Sequence, residues 1–367
     1  MNKTRILCVL STVLGNKAAS QKILQVLSKV PDLEPIPVLL GSQNYRDHPA
    51  PWWARLTNPW ESQYVSWQTA QPFLAKPYDM LLVNSWENVT GFRKVARRVP
   101  AAAVMDNNPG TVNSQLRERG KGGWQRTVSN ALHAAPFRRA VAGFDYLLPM
   151  GSDCLDSLVE DFGCDRTRCH VMLVPQDLDL WHPAPAKTSS GPLRLLFVGN
   201  DFDRKGGEFL LNLYSNHLAD NCRLTIVCND PAVSTRRFPE GVTVLRSLSF
   251  EQLLDTYHQS DVFVFPTHQD FMPQVLAEAL ATGVPCISND VGGIRDLVRT
   301  GETGFLMSRA DPAELWAQRI RELDGNRVEL ARLSAGARKF AEENLGLPQF
   351  EKLIADIISR MRLIRKR

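Results

Sequence analysis

No stretch of the 367-residue chain approaches the ~20 consecutive apolar residues that carry a helix across a bilayer, which excludes a helical membrane span. Metal-binding spacing is also missing. The seven cysteines (8, 154, 164, 169, 222, 228 and 286) contain no Cys-x-x-Cys pair and no nearby His-x3-His, so no zinc site is expected. Their odd number excludes a fully paired disulfide framework, and a reducing, cytoplasmic setting is expected. A large excess of one charge is absent too. Lys and Arg total 43 against 39 Asp and Glu, and the resulting +4 suits an anionic ligand or membrane surface but is too small to imply nucleic acid.

What is present is length for two ordinary domains with substantial cores. Apolar runs rich in β-branched residues alternate with helix-period segments, with strands expected near 5–10, 36–39, 79–83, 101–105, 146–149 and 169–174. Helices are expected over 17–30 and 152–162. That βα alternation implies a parallel sheet covered on both faces. The first run, preceded by Lys3 and Arg5, imitates a short secretory signal but reads better as a first strand, since free cysteines argue against export. Residues 176–192 lose apolar periodicity and gain proline, serine and glycine, marking a linker. The boundaries are therefore a first domain over 1–175, a second over 193–345 and a terminal helix over 346–367 that could return to the first domain.

Residues 261–296 hold the densest chemistry. Val262 to Phe265 read as a buried strand halted by Pro266, and Pro273 opens a helix that Gly283 ends. A second short strand over 285–288 leads through Gly292 and Gly293 to another helix near Ile294. Ligands of open α/β sheets lie where strand ends meet helix starts, so Asp270 and Glu278 flank the expected pocket. A carboxylate's two acceptor oxygens match the vicinal hydroxyls of a ribose or hexose. Taken alone, the pair could equally be a turn former and a solvated helix residue.

The run from Pro266 to Leu306 closely resembles the donor-binding half of retaining nucleotide-sugar glycosyltransferases of the GT-B fold, the group called family 4 or group 1. The family pattern is Glu-x7-Glu, Gly-x-Pro, Gly-Gly and Gly-x-x-Gly-Phe-Leu. Here Glu278, Gly283, Pro285, Gly292, Gly293, Gly301, Gly304 and Phe305 fall in step. Asp270 replaces the first Glu, and Phe271, Met272 and Pro273 stand where a Gly-Phe-Gly loop usually faces the donor sugar. The resemblance implies an α/β, GT-B fold: two Rossmann-like, doubly wound parallel-sheet domains with a cleft between them. It further implies transfer of a sugar from a UDP- or GDP-linked donor, with retention, to a saccharide, lipid-linked or other small acceptor.

In residues 193–207 a strand, Gly199 and a helix start form an anion site, to which Lys205 adds a positive charge. The family places an Arg after this glycine and a Lys five residues on, both reaching the diphosphate. Lys205 matches the Lys, Asn200 replaces the Arg, and Arg204 becomes the candidate for the missing charge. Gly15 matches the glycine that approaches the donor phosphates from the first domain. Asn84, Asp106 and Asn107, at expected strand ends, are the acceptor-side candidates, although the family's usual His after Met105 is absent. Lys205, Asp270 and Glu278 are the residues to which catalysis is assigned, largely as electrostatic stabilisation of a departing diphosphate. Asp201-Phe-Asp203 resembles a metal-binding Asp-x-Asp, but Asp177-Leu-Asp179 matches as well, and acids ahead of helices are ordinary caps. No metal or cofactor is expected beyond the nucleotide sugar.

Three segments leave alternatives open. Residues 51–67 carry four tryptophans, suited to stacking on sugars, to a lipid interface or to a satellite core. Residues 107–126 read as a basic, glycine-rich loop, either solvated or closing over an anionic acceptor. The tail from Ile357 sets apolar residues beside five basic ones, suiting peripheral association with an anionic membrane or a docked helix. Two rival functions share the fold: a nucleotide-sugar epimerase, and a degenerate transferase acting as a partner subunit.

Overall fold

The apolar runs of the sequence become strands with no exposed residue, as in Met80–Asn84, Ala101–Met105, Val262–Phe265 and Cys286–Asn289. Such burial on both faces is the mark of parallel sheets between helical layers. The computed structural model describes residues 3–12, 16–56, 58–118, 124–184 and 191–364. The chain divides into two units, Met1–Pro175 with Pro348–Arg367, and Gln176–Leu347.

In the first unit β1 (Thr4–Ser11), β2 (Leu33–Leu40), β3 (Met80–Asn84), β4 (Ala101–Met105) and β5 (Tyr146–Pro149) pair in the order β2-β1-β3-β4-β5, all parallel. This is the doubly wound order 2-1-3-4-5, with its switch point between β1 and β3. Leu7, Val9, Leu81, Val83, Phe92, Phe137 and Leu147 fill its core. The helix Leu347–Arg362 buries Ile354, Ile357, Ile358 and Met361. It is tied to this unit by Lys29 to Glu351 at 2.5 Å and by Arg362 to the Pro31 carbonyl at 2.8 Å. Its apolar face is therefore used within the protein and is not free to enter a lipid surface.

In the second unit β6 (Leu193–Val198), β7 (Cys222–Val227), β8 (Val242–Leu245), β9 (Val262–Phe265), β10 (Cys286–Asn289) and β11 (Gly304–Met307) pair in the order β11-β10-β9-β6-β7-β8, again all parallel. Counted from β6 this is the 3-2-1-4-5-6 order of dinucleotide-binding sheets, with the switch point between β6 and β9.

Four expectations change. Residues 169–174 form no strand: Cys169 makes an isolated bridge to Leu147, and Met172 donates to the Pro149 carbonyl. Pro149 has no N–H to return the next bond, so the ladder stops. Residues 107–126 are mostly helical, in Pro109–Glu118 and the start of Trp124–Val141, rather than one long loop; residues 119–123 lie outside the described residues. The helix expected near Ile294 is a five-residue 3-10 turn, Gly292–Asp296. The first half of the linker does not hang free: Gln176 donates to the Leu345 carbonyl at 2.6 Å, and Trp181 is buried edge-on against Phe250 and Tyr257. The tryptophans of residues 51–67 divide between the alternatives, since Trp67 packs on the core while Trp52 and Trp53 remain 76% and 50% exposed.

Candidate functional site

Two loops meet at the switch point of the second sheet. The first follows β6. Its Gly199 lies under the stem of Lys205, where a β-carbon would stand 3.2 Å from Lys205 Cγ. It ends at Gly206, whose φ of +82° is left-handed and whose missing Cβ would fall 2.0 Å from the Pro266 carbonyl oxygen. Only glycine satisfies both the dihedral and the close approach. The second loop follows β9 and is tied to the first: His268 N–H donates to the Arg204 carbonyl at 2.9 Å, and the Arg204 guanidinium donates to the Gln269 carbonyl at 2.7 Å.

This lacing brings the Lys205 ammonium against the Asp270 carboxylate, both side chains largely withdrawn from water at 16% and 14% exposure. The ammonium also stands 5.2 Å from the centre of the Phe265 ring, a cation–π contact. Arg204 is engaged twice, since its Nε donates to Asp201 at 2.6 Å while the same guanidinium holds Gln269. Asp201, one half of the Asp-x-Asp alternative, is thus paired with an arginine. Among the described residues no group of three His, Cys, Asp or Glu converges as metal ligands.

Phe271, Met272 and Pro273 follow. Gly293 N–H donates to the Phe271 carbonyl at 2.8 Å, and a β-carbon there would meet Met272 Cε at 2.7 Å. Glycine at 293 therefore lets the Asp270–Pro273 turn close down, with Met272 and Pro273 buried. Pro273 caps the helix Gln274–Ala281, which buries Leu276, Ala277, Ala279 and Leu280 and leaves Glu278 half-buried on its other side. Glu278 Oε2 accepts a hydrogen bond from the Tyr257 hydroxyl at 3.0 Å. From Lys205 to Glu278 runs a row of rings, Phe265, Phe263 and Tyr257, with successive centres 5.8 and 5.9 Å apart. Phe263 and Phe265 share one face of β9 because strand side chains alternate, so the cation and the acid stand at the two ends of one aromatic row.

The first unit treats its candidates differently. Asn84 is buried: its Oδ1 accepts from Ser11 N–H at 2.5 Å and its Nδ2 donates to Ser20 at 2.9 Å, binding β3 to β1 and to the helix Asn16–Lys29. Asp106 and Asn107 are half-buried at the end of β4 and bonded to each other at 3.0 Å. Gly15 lies outside the described residues. Between β3 and β4 in sequence stands Ser85, with φ +69° and ψ 147°, a conformation nearly reserved for glycine that costs roughly 1–3 kcal/mol. It precedes Glu87, whose carboxyl is held above the usual range, first by burial and also by neighbouring Asp106.

Sequence reasoning overlooked Gly206, Glu87 and Tyr257. The glycine doublet at 206–207 was the available signal for the first. A tyrosine within an ordinary helix, or a glutamate behind a serine, carries none.

The site lies within the part of the chain that known families recognise, for residues 192–326 match the family Glycosyl transferases group 1. The D-inositol 3-phosphate glycosyltransferase of Thermomonospora curvata is 29% identical, over 72% of this chain and 67% of its own length. The chain spans from about half to two thirds of the length of the first curated relatives it matches. Sucrose-phosphate synthase from Thermosynechococcus elongatus aligns with a TM-score of 0.76 at 15% identity, covering 98% of this chain and 99% of that one. The Anabaena HepE protein in complex with UDP-glucose aligns at 0.69 and 14% identity, covering 97% and 99%. At such identities the structural likeness speaks for the fold alone. The chain is thus built on the GT-B fold of two Rossmann-like parallel-sheet domains, and the stretch that matches glycosyl transferases group 1 lies within its second unit.

Proposed function

We propose that the protein is a retaining glycosyltransferase of family 4 that moves a hexose from a UDP- or GDP-linked donor to a saccharide, lipid-linked or other small hydroxyl-bearing acceptor. One observation carries the reading: Lys205 and Asp270 are held together at the β6/β9 switch point, with Glu278 at the far end of the aromatic row. Glu278 accepts the ribose hydroxyls, and Lys205 with the amides of its loop receives the diphosphate. The Anabaena protein of the same fold is in complex with UDP-glucose, which supports a uridine donor in this reading. The name of the Thermomonospora relative supports a small polyhydroxylated acceptor.

In the reaction the anomeric carbon loses its bond to the diphosphate oxygen and gains one to the acceptor oxygen, and the acceptor proton passes to the departing phosphate. Lys205 stabilises the charge that develops on that phosphate. Asp270 orients the ammonium until the donor arrives and then faces the sugar. The work needs no metal ion, so turnover persists in EDTA.

Lys205→Ala abolishes transfer while circular dichroism stays native; near-normal turnover would reject the reading. Because that change leaves Asp270 without its cation, Lys205→Ala with Asp270→Ala serves as the stability control. Conversion of the donor without acceptor would point to an epimerase. An absence of calorimetric binding to UDP, GDP and ADP conjugates would point to a partner subunit. The reading extends to a cytoplasmic protein that meets lipid-linked acceptors at a membrane surface, through the exposed Trp52, Trp53 and Leu56.

A further inference from the structure

The geometry points to Tyr257 as a positioning residue for the nucleotide: through its hydroxyl it holds Glu278 in the rotamer that receives the two ribose hydroxyls. This rests on the reading of Glu278 given above and adds the element that makes that side chain a defined receptor.

A glutamate on a helix surface has three rotatable bonds, and freezing it on a ligand costs side-chain entropy. Here the freezing is done before the ligand arrives. Tyr257 lies in the helix Phe250–His258 and has no exposed surface. Its ring is fixed by a stack on Phe263, centres 5.9 Å apart, and by the edge of Trp181 at 5.6 Å. Its hydroxyl reaches Glu278 Oε2 at 3.0 Å and the Val275 carbonyl, one turn earlier on the acid's own helix, at 3.2 Å. A rigid ring thus delivers one donor to one carboxylate oxygen. A carboxylate accepts through two oxygens with several lone pairs, so one fixed donor on Oε2 is compatible with its receiving a vicinal diol as well. Burial first, and then the Glu278 carboxylate, raise the phenol well above its ordinary range, so it remains a donor throughout the working pH range. Trp181 comes from the segment between the two sheets. Its carbonyl is held by Arg338 at 2.9 Å, so the clamp on Tyr257 is itself anchored.

Preorganisation of this kind changes ground-state and transition-state binding alike, so its loss appears in affinity and KM and not in kcat. The test compares wild type, Tyr257→Phe, Glu278→Ala and the double variant by calorimetry against UDP, 2′,3′-dideoxy-UDP and inorganic pyrophosphate. In Tyr257→Phe the Kd for UDP rises about tenfold. The Kd for dideoxy-UDP and for pyrophosphate stays within about twofold of wild type, and kcat at saturating donor changes less than KM. Adding Tyr257→Phe to Glu278→Ala has no further effect, since the tyrosine acts through the acid. Equal weakening of UDP and dideoxy-UDP, or additive losses in the double variant, would make Tyr257 a packing residue and overturn the inference. So would an unchanged Kd for UDP. A wild-type protein that binds none of UDP, GDP or ADP fails at the earlier step and takes down the functional reading together with this one.

Discussion

The two sheets of this protein end in different chemistry although their architecture is alike. At the switch point of the second sheet an acid meets a cation, Asp270 against Lys205. After β3 in the first sheet the acid is Glu87, held above its ordinary range chiefly by burial and slightly by Asp106, against hydrogen bonds from its own amide and from the strained Ser85. The charge balance divides the same way. The first unit has ten more basic than acidic residues and the second has six more acidic than basic, a contrast that the whole-chain value of +4 conceals. The lesson is that one half holds a few fixed side chains together over close backbone contacts. The other binds its amides into its own framework and leaves a carboxyl group in tension.

The largest expected effect tests whether close backbone approach is confined to the second sheet's site. Gly206 and Gly163 share left-handed dihedrals, φ +82° and +69°, but a Cβ at 206 would collide with the Pro266 carbonyl whereas one at 163 meets nothing within 4 Å. Gly206→Ala is expected to cost roughly 3 kcal/mol or more, dihedral strain and collision together, and to weaken nucleotide binding by separating the two loops. Gly163→Ala carries the dihedral term alone, about 1 kcal/mol, with nucleotide affinity unchanged. Chemical denaturation and calorimetry on both variants read the difference. Equal losses would mean that the contact between Gly206 and Pro266 contributes nothing.

These two glycines also show where the sequence could be read and where it could not. The order of elements was legible because continuous apolar runs and segments of period 3.6 survive in the fold with shifts of up to three residues. The placement of Lys205 and Asp270 at one switch point, and of Glu278 on the helix that follows, was legible because they stand at fixed offsets from glycines and prolines that set the loops. The 169–174 run was misread because its strand character is real but its partner, Pro149, lacks a donor, and no property of the run itself records that. Asn84 carried a strand-end signal, yet its amide is consumed by Ser11 and Ser20, partners 73 and 64 residues away in sequence. Tyr257 was invisible for the same reason: its meaning lies in Glu278, 21 residues further on.

A smaller effect sharpens the contrast between the two acids. Glu87 is held above the ordinary glutamate range, so between that range and its raised value the folded protein binds more protons than the unfolded chain. Stability therefore falls as pH rises through this window. Glu87→Gln removes the effect, raising Tm at neutral pH by at most about 4 °C and leaving it unchanged at pH 4. The readout is a set of thermal melts from pH 4 to 8. A variant that melts lower than wild type at neutral pH would mean that the hydrogen bonds from Ser85 and its own amide outweigh the burial of the ionised Glu87, and that the first sheet carries no such tension.

The smallest effect concerns the surface of the first unit. The turn Ala54–Leu56 buries Ala54 and turns Trp52, Trp53 and Leu56 outward, while Trp53 rests edge-on against Tyr64 with ring centres 6.2 Å apart. Tryptophans held this way contribute little to folding, so Trp52→Ala with Trp53→Ala is expected to change unfolding free energy by no more than about 0.5 kcal/mol. Indole rings favour the headgroup level of bilayers. Arg46 and Arg55 lie close in sequence, yet Asp47 and Glu61 balance them locally, so only the wider excess of basic residues in this unit favours an anionic surface. Sedimentation with phosphatidylglycerol vesicles should therefore show weak binding that the double variant reduces severalfold and that added salt reduces less. If binding is the same in the variant, or is abolished by salt alone, the indoles are bystanders and the contact is purely electrostatic. Either result would return Trp52 and Trp53 to the role of a sugar-stacking platform, which soluble oligosaccharide acceptors can test on the same proteins.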